Sequence, residues 1–164
     1  MKHFFIARHG AYYLNGHLNK LGEQQIRALA QAMRAIINGD RVHIISSTAP
    51  RALDSAAMLA RELGLRGQLE ELPCLWFAAD SEHYPPPVRD FDPELIYGIV
   101  AARQEHADVL ILMAHEELRD AFAAHFCRRQ FGRVFPFATL EKGQADHFDI
   151  ATASYQLIPK ESIT

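Results

Sequence analysis

Arg8-His9-Gly10, Arg51 and His115 are the residues of this chain whose types suit one kind of chemistry. Arginine offers a planar fork of donors that matches phosphate oxygens in pairs, and a neutral imidazole can attack as a nucleophile or carry a proton near neutral pH. Glycine lets an oxyanion approach the main chain closely, because it reaches torsions closed to other residues. Two arginines and two histidines could hold a dianionic phosphoryl group while one imidazole attacks the phosphorus. A lone Arg-His-Gly also arises by chance, as a strand end with a surface histidine. The set therefore has chemical meaning only if the fold gathers it.

The hydrophobic pattern predicts that it does. Phe4-Phe5-Ile6-Ala7 reads as a short buried strand that ends in Arg8-His9-Gly10, followed by a polar and aromatic loop over residues 11–18. Asn19 is expected to cap a helix in which Ile26, Leu29, Ala30, Met33 and Ile37 recur at helical spacing, until Asn38-Gly39-Asp40 stops it. Val42-His43-Ile44-Ile45 predicts a second strand running into Ser46-Ser47. Thr48 is then expected to cap a helix with Pro50 in its first turn and Ala52, Ala56, Leu59 and Leu63 on its inner face. Arg51 falls in that first turn, where the helix dipole disfavours a cation; it is either a solvated surface arginine or the neighbour of an anion.

A short third strand is expected around Leu69 to Leu75. The stretch from Phe77 to Asp90, with Asp80, Glu82, His83, Tyr84 and the run Pro85-Pro86-Pro87, has the make-up of a loop over a site. Asp92-Pro93 opens another helix, with Leu95, Ile96, Ile99 and Val100 on its buried side and His106 near its end. Val109-Leu110-Ile111-Leu112-Met113-Ala114 is uninterrupted apolar sequence, as a central parallel strand covered on both faces requires, and it ends at His115-Glu116. A further helix with Leu118, Ala121, Phe122 and Phe126 precedes two short strands, around His147 to Ile150 and Tyr155 to Ile158. Strands alternating with helices predict an α/β fold, a three-layer α/β/α sandwich with a mostly parallel central sheet. In such sheets sites form at the carboxyl ends of strands, and Arg8-His9, Arg51 and His115 follow three such ends.

Composition narrows the partners. A chain of 164 residues that is 49% hydrophobic suffices for one sizeable core, so residues 1–164 are expected to form a single domain. The formal charge of -3 offers no basic face, which argues against nucleic acid or an anionic membrane as a main partner. Cys74 and Cys127 form no Cys-x-x-Cys pair and are expected to be reduced thiols. Met1-Lys2-His3-Phe4 enters the first strand without a secretory pattern, and no run reaches membrane-spanning length, so a cytoplasmic location is expected. His3, His43, His125 and His147 lie in expected strands or helices, no His-Glu-x-x-His occurs, and no metal is expected. Trp76-Phe77 reads as core or lid packing rather than a base-stacking platform, because no basic residues interleave with it.

In order and spacing these motifs resemble the histidine phosphatases, the superfamily that includes the cofactor-dependent phosphoglycerate mutases. Arg8-His9-Gly10 matches the family's opening motif, and Asn15 stands at the spacing of an Asn that often contacts phosphate. Leu18-Asn19-Lys20-Leu21-Gly22 is similar to Leu-Thr-x-x-Gly, and the run from Ser46 through Arg51 to Ala56 is similar to Ser-Ser-x-x-x-Arg-Ala-x-x-Thr-Ala, with Ser55 for the Thr. The resemblance implies a phosphoglycerate mutase-like fold, His9 as the nucleophile that becomes phosphorylated, and Arg8, Asn15, Arg51 and His115 around the phosphate. It implies no cofactor. Ala11 stands where many members carry an acidic or polar residue, and Glu116 where many have Gly. Where many members place a proton-donating Leu-x-Glu, this chain has Leu72-Pro73-Cys74. Glu71, Asp80 and Glu82 are the nearby carboxylates; Glu82 is the candidate catalytic acid because His83 and Tyr84 beside it suggest a polar pocket, the alternative being a solvated loop residue.

The expected function is a metal-independent phosphatase hydrolysing phosphate monoesters or phosphohistidine through a phosphohistidine on His9. Its partner would be a phosphorylated small molecule or a phosphoprotein. The compact size resembles the branch that includes phosphohistidine phosphatases, whereas mutases of the superfamily are usually longer. The competing reading is a non-catalytic, phosphate-binding regulatory module that lost turnover with the missing carboxyl.

Overall fold

In the computed structural model, residues 1–65, 69–76, 91–161 and 163–164 are described. The strands are β1 (His3–Arg8), β2 (Val42–Ser46), β3 (Glu70–Glu71), β4 (Val109–Ala114), β5 (Ala145–Asp149) and β6 (Ser154–Ile158). The helices are α1 (Lys20–Arg34), α2 (Pro50–Glu62), α3 (Pro93–Arg103) and α4 (Glu116–Phe131). The sheet order is β3-β2-β4-β1-β5-β6; β3, β2, β4 and β1 run parallel, and β5 and β6 are added antiparallel. This is the expected mostly parallel sandwich. The apolar run at β4 lies between β2 and β1 with every residue buried, because a strand with helices on both faces has no side to give to water.

Alternation along the strands sorts the core into two layers. Phe5 and Ala7 of β1 and Val109, Ile111 and Met113 of β4 face Ile26, Leu29 and Met33 of α1 and Ala52, Ala56 and Leu59 of α2. Phe4 and Ile6, with Leu110 and Leu112, face Ile96 and Val100 of α3 and Leu118, Phe122 and Phe126 of α4. Each fully buried Phe, Leu, Ile, Val or Met among them contributes about 1.5 to 3 kcal/mol of burial free energy, so both helical layers are held by the same strands that carry the candidate site.

Several local expectations are corrected. Asn19 caps α1, its side-chain oxygen accepting from Gly22 N at 2.9 Å. Ala49 rather than Thr48 is the N-cap of α2; its extended conformation suits a residue before Pro50, and Ser47 Oγ accepts from Ala49 N at 3.3 Å instead. The third strand shrinks to Glu70–Glu71, because Pro73 cannot donate to a ladder and opens a 3-10 turn, Pro73–Leu75. α1 stops at Arg34, short of Ile37, and α3 stops at Arg103, short of His106. Leu95 is 50% exposed on α3, and Ala123 rather than Ala121 is buried on α4. The expected loop from Phe77 to Asp90 lies outside the described residues. Among those described, no helix is long and apolar enough to cross a membrane.

Candidate active site

Parallel register sets the floor of the site. Arg8 pairs with Ala114 and Ser46 with Met113, so β1, β2 and β4 end at one edge. His9 N then donates to Ala114 O at 3.1 Å and Ser47 N to Met113 O at 2.9 Å, carrying the ladder one step past the strands and fixing both residues that follow. The turn after His9 is tied on several sides. Gly10 N donates to Ser55 Oγ at 3.1 Å, Ser55 Oγ donates to Arg51 O at 2.6 Å, and Ala11 N donates to Gln25 Oε1 at 2.8 Å. Gly10 and Gly22 are needed for close approach: a Cβ on Gly10 would lie 2.7 Å from Gly22 O, and one on Gly22 would lie 2.0 Å from Ala11 O. The start of α1 is thereby pressed onto the turn that presents His9.

The hydrogen bonds fix which nitrogen of His9 carries the lone pair. His9 Nδ1 is 2.8 Å from Gly10 O, a pure acceptor, so Nδ1 carries the proton and Nε2 the lone pair. Arg51 Nε donates to that Nε2 at 3.0 Å. Across the site Arg51 Nη2 lies 3.4 Å from His115 Nδ1, which leaves the His115 proton on Nε2, donated to Ser47 Oγ at 2.9 Å. The two rings are 5.2 Å apart. Burial, then His115 and the cations Arg51 and Arg8, hold His9 well below the usual histidine range; the Gly10 carbonyl opposes them without prevailing. His115 is lowered to about 3, by burial first and then by Arg51 and Arg8. Both rings are therefore neutral at physiological pH.

Those shifts have a sign. An unfolded chain takes up protons on its histidines below about pH 6.5 that buried His115 refuses until about 3, so the stability it contributes is complete above pH 6.5 and lost as pH falls through that window. Replacing His115 with Gln is expected to flatten the fall of unfolding free energy between pH 6 and pH 4 by up to about 1.4 kcal/mol per pH unit, the worth of one proton. Denaturant unfolding of both proteins across that range checks it, and equal slopes would mean that His115 titrates normally.

Arg51 is only 4% exposed, yet among the described residues its side-chain hydrogen bonds go to two neutral imidazoles and its guanidinium pairs with no carboxylate. It is flanked by rings, with Cζ 5.0 Å from the Tyr12 centroid and 5.9 Å from that of Trp76. Trp76, expected to be packing, also stacks on His115 at 6.5 Å. Arg8 Nη1 donates to Leu140 O at 2.7 Å and pairs with Glu116 Oε2 at 2.7 Å, while its buried Nε has no partner among the described residues. Lys142 adds a cation 4.7 Å from the Tyr12 centroid.

The fold thus gathers Arg8, His9, Arg51 and His115. Asn15 sits in the exposed turn beyond Tyr12, its side-chain oxygen accepting from His17 N at 3.2 Å. Glu82 and Asp80 lie outside the described residues, and Glu71 is exposed on β3. Sequence reasoning gave no role to Ser47 or Lys142. Ser47 could have been found from its place at a strand end, whereas Lys142 reaches Tyr12 from a loop that carries no signal. Among the described residues no group of three or more His, Cys, Asp or Glu could hold a metal ion.

Residues 4–75, which include Arg8-His9-Gly10 and Arg51, match the family model of the histidine phosphatase superfamily, branch 1. No curated protein matches the sequence. Among solved structures, the protein histidine phosphatase SixA complexed with tungstate is similar at a TM-score of 0.67 and 17% identity, over 98% of this chain and 96% of that one. A mycobacterial glucosyl-3-phosphoglycerate phosphatase in complex with VO3 gives 0.63 and 17%, over 99% and 100%. The same mycobacterial phosphatase with inorganic phosphate gives 0.64 and 16%, over 100% and 98%. At these identities the structural likeness is one of fold. The family-model match over residues 4–75 and the likeness in fold over nearly the whole chain point the same way: the chain is similar to the histidine phosphatase superfamily.

Proposed function

We propose that the protein is a metal-independent phosphatase that works through a covalent phosphohistidine on His9. The observation that carries this reading is Arg51, a buried guanidinium with no carboxylate partner among the described residues, hydrogen-bonded to the lone pair of a neutral imidazole. A buried, uncompensated cation is costly, and an arriving dianion supplies the missing charge. The phosphoryl group would take donors from Arg51 and from Arg8 Nε, and would replace Arg51 Nε as the partner of His9 Nε2. Nε2 then attacks phosphorus, and water hydrolyses the phosphohistidine in a second step.

The substrate class is a phosphate monoester or phosphohistidine, on a small molecule or a protein. That relatives in fold include a protein histidine phosphatase and a sugar-phosphoglycerate phosphatase supports this range without choosing within it. A non-catalytic phosphate-binding module would share the cations but has no use for a lone pair aimed into the site. Brief incubation with an aryl phosphate, followed by intact-mass analysis, tests the reading. One added phosphoryl group, labile in acid, is expected, with release of inorganic phosphate. Phosphate binding with neither outcome would assign the protein to the binding class.

A further inference from the structure

The phosphatase reading leaves one chemical step without a residue. The alkoxide that departs from a phosphate monoester is strongly basic and needs a proton as the P–O bond breaks. Cys74, at the family's donor position, has no carboxyl, and its half-buried thiol is pushed above the usual range, by burial first. Glu71 is exposed on β3. One carboxylate among the described residues does reach the catalytic cluster. Glu116 directly follows His115, opens α4, and sets its Oε2 2.7 Å from Arg8 Nη1.

That position suits a proton donor. Arg8 directly precedes His9 and its charge acts on both imidazoles, and Glu116, directly after His115, is paired with its Nη1. The Glu116 side chain is 33% exposed and that of Arg8 19%, which places the carboxyl at the rim, where a leaving group must exit to solvent. Arg8 Nε, buried and unpartnered among the described residues, can take a phosphoryl oxygen while Nη1 still faces the carboxyl, so one guanidinium would hold the phosphoryl group and the acid side by side.

We propose that Glu116 is the general acid of this enzyme, protonating the leaving oxygen from the rim of the site; the proposal rests on the phosphatase reading. His9 Nε2 forms the N–P bond, the electrons of the P–O bond go to the leaving oxygen, and that oxygen takes the Glu116 proton. Water then attacks the phosphohistidine and returns a proton to the Glu116 carboxylate, the N–P electrons go back to Nε2, and the products are an alcohol and inorganic phosphate.

The test compares kcat/KM for an alkyl and an aryl phosphate in wild type, Glu116→Gln, Glu116→Asp and Glu82→Gln. An aryl oxyanion is stable enough to leave unprotonated, so loss of an acid shows in the alkyl-to-aryl ratio. That ratio is expected to fall about 100-fold or more in Glu116→Gln, with Glu116→Asp, an acid one methylene short, in between. Glutamine is isosteric and the position partly exposed, so thermal unfolding of Glu116→Gln should stay close to wild type. An equal loss on both substrates would overturn the proposal by showing that Glu116 only positions Arg8. A selective loss in Glu82→Gln, with the ratio unchanged in Glu116→Gln, would overturn it in favour of Glu82. Wild type that releases phosphate from neither substrate and takes up no phosphoryl group would instead overturn the phosphatase reading and the proposal with it.

Discussion

His9→Ala is expected to abolish phosphoryl uptake altogether and to cut phosphate release by about 10,000-fold or more, about 5 kcal/mol of transition-state stabilisation. The size follows from what is removed. Nε2 is the only atom of the residue aimed at the site, with Nδ1 committed to the Gly10 carbonyl and Arg51 Nε directed at Nε2. No neighbouring side chain can take its place, because the other imidazole has its proton on the nitrogen facing Ser47 and its lone pair turned to Arg51. Inorganic phosphate should still bind to His9→Ala, since Arg8 and Arg51 remain. Intact mass after incubation, phosphate release under saturating aryl phosphate, and phosphate binding by calorimetry measure the three parts. Retention of a phosphoryl group on the alanine variant would place the covalent step on another residue and end the His9 mechanism.

Why His9 could be picked out from sequence, and Glu116 only from structure, comes down to what each signal encodes. Phe4 to Ala7, Val109 to Ala114 and the periodic positions of α1 are dictated by burial, so the strand ends that carry Arg8-His9 and His115 were legible from hydrophobic pattern alone. Arg51 was legible as an arginine in an awkward place, the first turn of a helix; its burial supplies the reason. Thr48 misled because serine and threonine preference describes caps in general, while here the cap is Ala49 before Pro50 and the hydroxyl comes from Ser47. Leu69 to Leu75 misled because apolar residues around a proline can pack without forming a ladder. Contacts that close long loops, such as Lys142 with Tyr12 or Leu140 with Arg8, join residues far apart in the chain through no periodic pattern. Glu116 stood out in sequence only as a departure from Gly, and its pairing with Arg8 gives that departure a use.

Arg51→Lys is expected to cost about 30-fold or more in kcat/KM, about 2 kcal/mol, although charge is nominally conserved. The guanidinium reaches His9 through Nε and His115 through Nη2 from one rigid plane, and an ammonium is a single point that cannot span both. Its flat faces lie against Tyr12 and Trp76, a fit that a compact, strongly hydrated ammonium lacks. Burial and the positive end of α2 also favour a neutral amine at this position, and lysine can shed its proton where arginine cannot. Arg51→Met sharpens the test, because it removes the cation and keeps an apolar stem between the rings. Turnover should be lost, while the unfolding temperature should match or exceed that of wild type, since a buried cation that pairs with no carboxylate among the described residues costs free energy in the absence of substrate. Kinetics with an aryl phosphate and thermal unfolding of both variants decide the matter. If Arg51→Lys kept its rate within about threefold, or if Arg51→Met lost stability while it kept turnover, Arg51 would be a structural cation and the phosphate would have to be held elsewhere.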